Sequence, residues 1–220
     1  MENKEIYGRV KKIMIEFLEE DSSGHDAYHA ERVFNNALNI HKTEGGNELV
    51  IGVSALMHDL LRPWEKKTGK SHFGEEALDI IRKELKPIDL SAEDEDMIIN
   101  VIAKHDLYDW TEKDNSKSIE LQIVQDADRL DAIGAIGIGR TFRFGGAYNN
   151  PMYVPGENLD FVGDYKEEVS KPSTIGHFYE KLLKLKDNMN TQTGKNIANE
   201  RHDFMLQFVD RFLKEWNGDA

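Results

Sequence analysis

The chain of 220 residues contains no cysteine. This composition excludes disulfides, iron–sulfur clusters and thiolate zinc sites, so any metal must be held by histidine, aspartate, glutamate, asparagine or water. Such ligands suit a divalent Mn, Mg, Fe, Co, Ni or catalytic Zn ion. A chain of this length can bury a core without disulfides or structural zinc, and we expect one domain spanning residues 1–220.

Long apolar runs are also missing from the sequence. No stretch approaches the roughly 18 to 20 apolar residues of a membrane span, and no basic region followed by an apolar run opens the chain. We therefore expect a soluble, cytoplasmic protein with no membrane partner. The net charge of -13, from 28 basic and 41 acidic residues, argues against duplex nucleic acid as a partner. The net charge leaves open a small anionic substrate that binds in a locally positive pocket. The sequence also leaves open whether the protein forms a homodimer.

Strand-like alternation is scarce, and helical periodicity dominates the chain. Residues 27–41 place apolar side chains at the three-and-four spacing of one helix face. The candidate N-caps are Asp21, Ser22 and Ser23 for this helix, and Ser71 and Ser91 for two later ones. The pattern predicts an all-α protein.

The second half of the chain is interrupted by glycines. An apolar helix is predicted over Ile119 to Ile138, although Gly134, Gly137 and Gly139 would weaken it unless another helix packs closely there. Residues 143–172 are rich in glycine, proline and asparagine and are predicted to form a long irregular excursion. Helical periodicity returns over residues 178–189 and 197–216.

The pair His58-Asp59 lies near the end of the apolar segment 49–61. An imidazole and a carboxylate are costly to bury unless a partner satisfies them, and a divalent cation would do so. A histidine that is merely hydrogen-bonded at the end of a core helix explains the pair equally well. The pair alone leaves both interpretations open.

Further potential ligands follow the chain in a regular order. They are His29, His58-Asp59, His72, His105 and Asp128, each on a different predicted helix or at its edge. Helical bundles build metal sites from side chains that converge in this way.

This ordered pattern resembles the HD-domain superfamily of metal-dependent phosphohydrolases, which is named for its His-Asp pair. The matching segments are residues 24–29 with Arg32-Val33, then 56–60, then 124–132. The continuation to Arg140 and the tail 189–195 look like a subgroup of small, stand-alone bacterial and archaeal HD proteins. The resemblance implies an HD-domain helical bundle with a motif core at 24–140, on which the helices of 174–216 would pack.

The resemblance implies roles for the matched residues. His29, His58, Asp59 and Asp128 would hold a divalent metal, and Asp59 would hold or deprotonate the attacking water. The expected activity is hydrolysis of a small phosphoester, such as a nucleotide or a phosphomonoester. His72 and His105 stand in the order of the histidines that bind a second metal in some HD proteins. With one metal, the same imidazoles would contact the substrate or act as general acid.

Several charged residues are secondary candidates. His25 is expected to support the ligands or to face the substrate, and Asp131 to support Asp128 from the same helix face. The candidates for binding a substrate phosphate are Arg32, Arg62, Lys104, Arg140 and Arg143, although each is equally compatible with a solvated surface charge.

Other functions remain open at this level. HD-like folds also host di-iron oxygenases, in which His72 and His105 would supply extra ligands. A nucleotide-binding or signalling module with a structural metal is a further alternative. The spacing of His25 and His29 suggests a metalloprotease motif, but the glutamate that such a motif requires as general base is absent.

Overall fold

The computed structural model describes residues 3–19, 24–106, 117–161 and 173–220. Within these ranges the chain is helical and contains no strand, which confirms the predicted all-α class. The helices are α1 (Asn3–Leu18), α2 (Ala27–Glu44), α3 (Glu48–Met57), α4 (Arg62–Thr68), α5 (Glu75–Leu85), α6 (Ala92–Lys104), α7 (Ile119–Asp131), α8 (Gly134–Ala147), α9 (Thr174–Glu180), the 3-10 helix Leu182–Asn188, and α10 (Gln192–Asn217).

The chain divides into two compact units, Met1–Asp128 and Arg129–Ala220, with the boundary inside α7. The single domain expected over 1–220, with 174–216 packed on the motif core, stays a prediction. No helix of the described ranges is long and apolar enough to cross a membrane.

Helix α3 is the centre of the first unit. Every residue from Val50 to Met57 is buried, and α3 packs against α1, α2 and α6. Gly52 permits this packing, since a Cβ there would lie 2.5 Å from the ring of Tyr7 on α1. A helix that is apolar on all sides must lie in a core, so the residues at its carboxyl end, His58 and Asp59, enter the interior as well.

Capping residues set where the site-bearing helices begin. The N-cap of α2 is Asp26, whose Oδ1 accepts the backbone N–H of His29 at 2.9 Å. The predicted caps at 21–23 lie outside the described residues. Ser71 does not cap α5, because that helix begins after Gly74. Ser91 caps α6 as predicted and exchanges hydrogen bonds with Asp94.

The helix predicted over Ile119 to Ile138 is in fact two helices. Helix α7 ends at Asp131, and α8 starts at Gly134, whose φ of +75° favours glycine. The expected close packing of another helix is present at Gly134, where a Cβ would lie 2.9 Å from Arg201 of α10. A Cβ on Gly137 would instead meet the backbone carbonyl of Ala132, and one on Gly139 would meet no described atom within 4 Å.

The irregular excursion begins later than predicted, because α8 continues to Ala147 and so includes Arg143. Residues 148–161 are non-helical, and 162–172 lie outside the described residues. The backbone N–H groups of Thr174 and Ile175 donate to Pro151 and Met152, which fixes the excursion to the start of α9. The helical periodicity after residue 178 corresponds to the end of α9, the 3-10 helix and α10.

Candidate metal centre

His58 directly follows α3 and presents one ring nitrogen to the interior. Its Nδ1 lies 2.9 Å from the carbonyl oxygen of Ala55, which can only accept a hydrogen bond. Nδ1 must therefore carry the proton, and the Nε2 of the neutral ring has a free lone pair. Burial lowers the pKa of His58 from 6.5 to about 4, although Asp59 and Asp128 act in the opposite direction. The imidazole is therefore neutral at physiological pH, as a metal ligand must be.

Three further side chains meet the Nε2 of His58. His29 Nε2 lies 3.3 Å away, Asp59 Oδ2 3.5 Å and Asp128 Oδ1 3.8 Å. His29 Nε2 lies 3.6 Å from Asp59 Oδ2 and 3.5 Å from Asp128 Oδ1. Helices α2, α3 and α7 thus bring together the four residues that sequence reasoning selected.

This arrangement brings the lone pairs of several nitrogen and oxygen atoms close together. The Nε2 of His58 carries a lone pair, and the carboxylate oxygens of Asp59 and Asp128 can only accept. Such groups repel one another in a buried site unless a cation or a hydrogen-bond donor lies among them. The chemistry of the donor set therefore fits a divalent metal ion.

Asp59 also has contacts on its second oxygen. Its Oδ1 lies 3.3 Å from His72 Nε2 and 3.5 Å from His105 Nε2. Both ring nitrogens are buried and have no hydrogen-bond partner among the described residues. Asp59 with His29 and His58 forms one group of potential metal ligands, and Asp59 with His72 and His105 forms a second; within each, the ligand atoms lie within 4.8 Å of one another.

The carboxyl groups of Asp59 and Asp128 both have lowered pKa values. Burial alone would raise the pKa of Asp59, but His58, Arg62 and the adjacent imidazoles of His105 and His29 hold it well below its usual range. Burial also opposes ionisation of Asp128, and the nearby His58 and His29 lower its pKa. Both groups are therefore ionised and suited to a hard or borderline cation.

Arg62 connects the carboxylates around the second group. Its Nε donates to Asp59 Oδ1 at 3.0 Å, its Nη1 to Glu65 Oε2 at 3.2 Å and its Nη2 to Asp106 Oδ2 at 2.9 Å. Burial would lower the pKa of Arg62, but Asp59 and Asp106 raise it. All three guanidinium nitrogens thus have a carboxylate partner.

Glu65 and Asp106 were not identified by sequence reasoning. Glu65 lies on the short helix α4 and accepts a hydrogen bond from His72 Nδ1 at 3.0 Å. Burial raises the pKa of Asp106, although His105 and Arg62 lower it. The only signal in the sequence was that Glu65 lies one turn beyond Arg62 and that Asp106 follows His105 directly.

The remaining candidates of the first unit are at least partly exposed. His25 is one-third exposed, and its Nε2 lies 3.9 Å from Asp59 Oδ2. Arg32 is half-buried one turn after His29 on α2. Lys104 is exposed at the end of α6, next to the buried His105.

The other candidates belong to the second unit. Asp131 is buried, and its Oδ2 accepts a hydrogen bond from Arg140 Nη1 at 2.9 Å. Arg143 is exposed on α8. The roles proposed for these three residues stay predictions.

Comparison with known proteins places this arrangement in a family. Residues 26–133 match the model of the HD domain. The Bacillus subtilis protein YpgQ is 37% identical over 202 residues, which cover 91% of this chain and 89% of YpgQ.

Solved structures show the same relationship. A crystal structure of an HD-superfamily hydrolase from Bacillus thuringiensis matches with a TM-score of 0.76 and 37% identity over 98% of both chains. The crystal structure of YpgQ in complex with ADP matches with a TM-score of 0.71 and 32% identity over all of both chains. A predicted HD superfamily hydrolase from an uncultured Thermotogales bacterium matches with a TM-score of 0.64 and 27% identity over 97% of this chain and 92% of the other. The chain therefore belongs to the HD domain family.

Proposed function

We propose that this protein is a metal-dependent phosphohydrolase that acts on small phosphoesters, with nucleotides as the leading substrate class. The observation that carries the proposal is the buried meeting of His29, His58, Asp59 and Asp128, whose ligand atoms lie 3.3 to 3.8 Å apart. These four residues are the proposed ligands of one divalent cation. The cation would neutralise phosphate charge and make water a stronger nucleophile at neutral pH.

In this proposal, Asp59 holds the attacking water and receives its proton. A base must lie within hydrogen-bond reach of the proton that it accepts. Asp59 is central enough to do so, because its two oxygens contact both groups of histidines. Its low pKa keeps it ionised, so that it can accept a hydrogen bond from that water.

His72 and His105 are proposed to hold a second cation on the Oδ1 side of Asp59. The charge of the cluster supports this assignment. Four carboxyl groups lie there, those of Asp59, Glu65, Asp106 and Asp128. The guanidinium of Arg62 is paired with three of these groups and offsets one negative charge. A negative cluster repels a phosphate. Two divalent cations would reverse that charge, whereas one would leave an excess of acid.

His105 has an alternative role if one cation binds. Burial lowers its pKa, but the adjacent, negatively charged Asp59 raises it above the ordinary value. An imidazolium at this position can donate a proton to the leaving oxygen. His25, at the partly exposed edge of the cluster, is proposed to face the substrate.

Nucleotides are proposed as substrates because YpgQ, which is similar over its whole length, was crystallised with ADP. The proposed phosphate contacts are Arg32, Arg140 and Arg143. Arg62 is less suited to this role, since its nitrogens already donate to three carboxylates.

The test is metal content together with hydrolysis of a panel of nucleotides and phosphomonoesters, for the wild type and His58→Ala. The proposal expects metal and metal-dependent phosphate release in the wild type and neither in the variant. A wild-type protein that binds no divalent metal would contradict the proposal. Iron-loaded protein that consumes oxygen and leaves phosphoesters intact would favour an oxygenase, and binding of a nucleotide without turnover under any metal would favour a signalling module.

A further inference from the structure

His58, His72 and His105 each present Nε2 towards Asp59, but their rings are oriented in two different ways. His58 Nδ1 donates to the carbonyl oxygen of Ala55 at 2.9 Å, and His105 Nδ1 donates to that of Ile102 at 2.6 Å. Both acceptors lie three residues earlier, in the last turn of the helix that the histidine follows. The orientation of these two rings is therefore set by the helix backbone.

His72 has no such support from a helix. It lies in the non-helical segment 69–74 between α4 and α5. Its Nδ1 donates instead to Oε2 of Glu65 at 3.0 Å, and its backbone N–H donates to Oε1 of the same carboxylate at 3.3 Å. Arg62 Nη1 donates to that carboxylate as well, at 3.2 Å, which restricts its rotation. Glu65 thus holds His72 at two points.

The contact with Glu65 decides which nitrogen of His72 is available. A carboxylate accepts hydrogen bonds only, so the Nδ1 of His72 carries the proton and its Nε2 a lone pair. This Nε2 is buried, has no hydrogen-bond partner among the described residues and lies 3.3 Å from Asp59 Oδ1. A negative partner on one ring nitrogen also makes the other a stronger metal ligand.

We infer that Glu65 is a positioning residue for a divalent cation held by His72, His105 and Asp59. The inference rests on the proposed function, in that it concerns the second cation of the same centre. Glu65 itself acts through His72 and does not touch the cation. Its side chain is about one-third exposed, so a substitution there need not disturb the core.

The first experiment is calorimetric titration of the metal-free protein with Mn²⁺. The wild type is expected to bind two equivalents. In Glu65→Gln one equivalent is expected to bind about tenfold to a hundredfold more weakly, as for other lost outer-sphere partners, with the other unchanged. His72→Ala is expected to lose that same equivalent. Glu76→Gln is the matched control, because Glu76 is exposed and its carboxylate pairs with Lys70 at 2.6 Å.

The second experiment reads the tautomer of His72 directly by ¹⁵N NMR of the metal-free protein. The wild type is expected to show the proton on Nδ1, and Glu65→Gln is expected to shift population to the Nε2–H form with an unchanged near-UV circular dichroism spectrum. This readout separates positioning from a loss of fold.

Three results would overturn the inference: Glu65→Gln that binds both equivalents as the wild type does, wild-type His72 with its proton on Nε2, or a wild type that binds a single equivalent at saturating Mn²⁺. The last result would leave the mononuclear phosphohydrolase standing. Failure of the proposed function would be distinct, since it would show as no Mn²⁺ binding at all.

Discussion

The Nε–H of Arg62 donates a hydrogen bond to Oδ1 of Asp59 at 3.0 Å, and Arg62 follows Asp59 by three residues. The same guanidinium reaches Glu65 and Asp106, so it connects three acidic side chains that would otherwise repel one another. Arg62 is one of several candidates that the sequence offers for binding a substrate phosphate. Its three carboxylate contacts favour a role in stabilising the acidic cluster, in which case the proposed cations would supply the charge needed for an anionic substrate.

Replacement of Arg62 by glutamine separates these two roles. We expect Arg62→Gln to lower the free energy of unfolding of the metal-free protein by about 1 to 3 kcal/mol, because it leaves partly buried carboxylates without their partner. The KM for the substrate should change little. Thermal unfolding and steady-state kinetics measure the two effects, and an unchanged melting temperature with a strongly raised KM would instead identify Arg62 as a substrate ligand.

Metal binding should stabilise the fold. At a free Mn²⁺ concentration about 100 times the dissociation constant, one bound ion adds about 2.7 kcal/mol to the free energy of unfolding. For a chain of this size that corresponds to a rise of about 5 to 10 °C in melting temperature. Differential scanning calorimetry with Mn²⁺ and with EDTA tests this in the wild type and in His58→Ala. An equal rise in the variant would show that the ion binds elsewhere.

The cap of α2 should matter for the metal as well as for stability. Asp26→Ala removes the side-chain acceptor of the His29 N–H and leaves the backbone carbonyl of residue 26 as its acceptor. This loss should cost about 1 kcal/mol and weaken Mn²⁺ binding by about tenfold, because His29 lies in that first turn. Ser91→Ala removes the cap of α6 at the end opposite His105, and is the matched control. It should cost a similar free energy of unfolding without changing the affinity for Mn²⁺. Equal affinities in both variants would show that the cap does not position His29.

We expect His202 on α10 to make the stability of the second unit sensitive to acid. Burial lowers the pKa of His202, and the nearby Lys186 lowers it further. The unfolded chain therefore binds a proton more readily than the folded one below the ordinary value near 6.5, so the free energy of unfolding should fall as the pH drops below about 6.5. It should level off below the folded-state pKa. His202→Gln should flatten this dependence between pH 6.5 and the acid limit in urea unfolding curves, and an unaltered slope would remove His202 from the explanation.

The inner part of the centre could be anticipated because the resemblance to the HD superfamily implies its four ligands, and regular helices carry these residues. Asp128 and His29 lie on helices with clear periodicity, and His58 follows one that is apolar throughout. Their meeting needed only the packing of three helices. The order of the histidines along the chain also indicated His72 and His105. It did not indicate that these two contact Oδ1 of Asp59, whereas His29 and His58 contact Oδ2.

The supporting residues could not be anticipated in the same way. Glu65 reaches His72 across the non-helical segment 69–74, whose conformation follows from no periodic pattern. The partners of Arg62 depend on side-chain directions that a one-dimensional pattern does not contain. The break between α7 and α8 was missed because Gly134 was interpreted as a close contact, whereas it also requires a positive φ.

The most direct test of the proposed centre is anomalous diffraction from crystals of the protein grown with Mn²⁺. The account predicts a strong anomalous peak among His29 Nε2, His58 Nε2, Asp59 Oδ2 and Asp128 Oδ1, and a second one on the Oδ1 side of Asp59 near His72 and His105. Crystals of active protein with no anomalous peak at these side chains, or with the metal bound elsewhere, would contradict it.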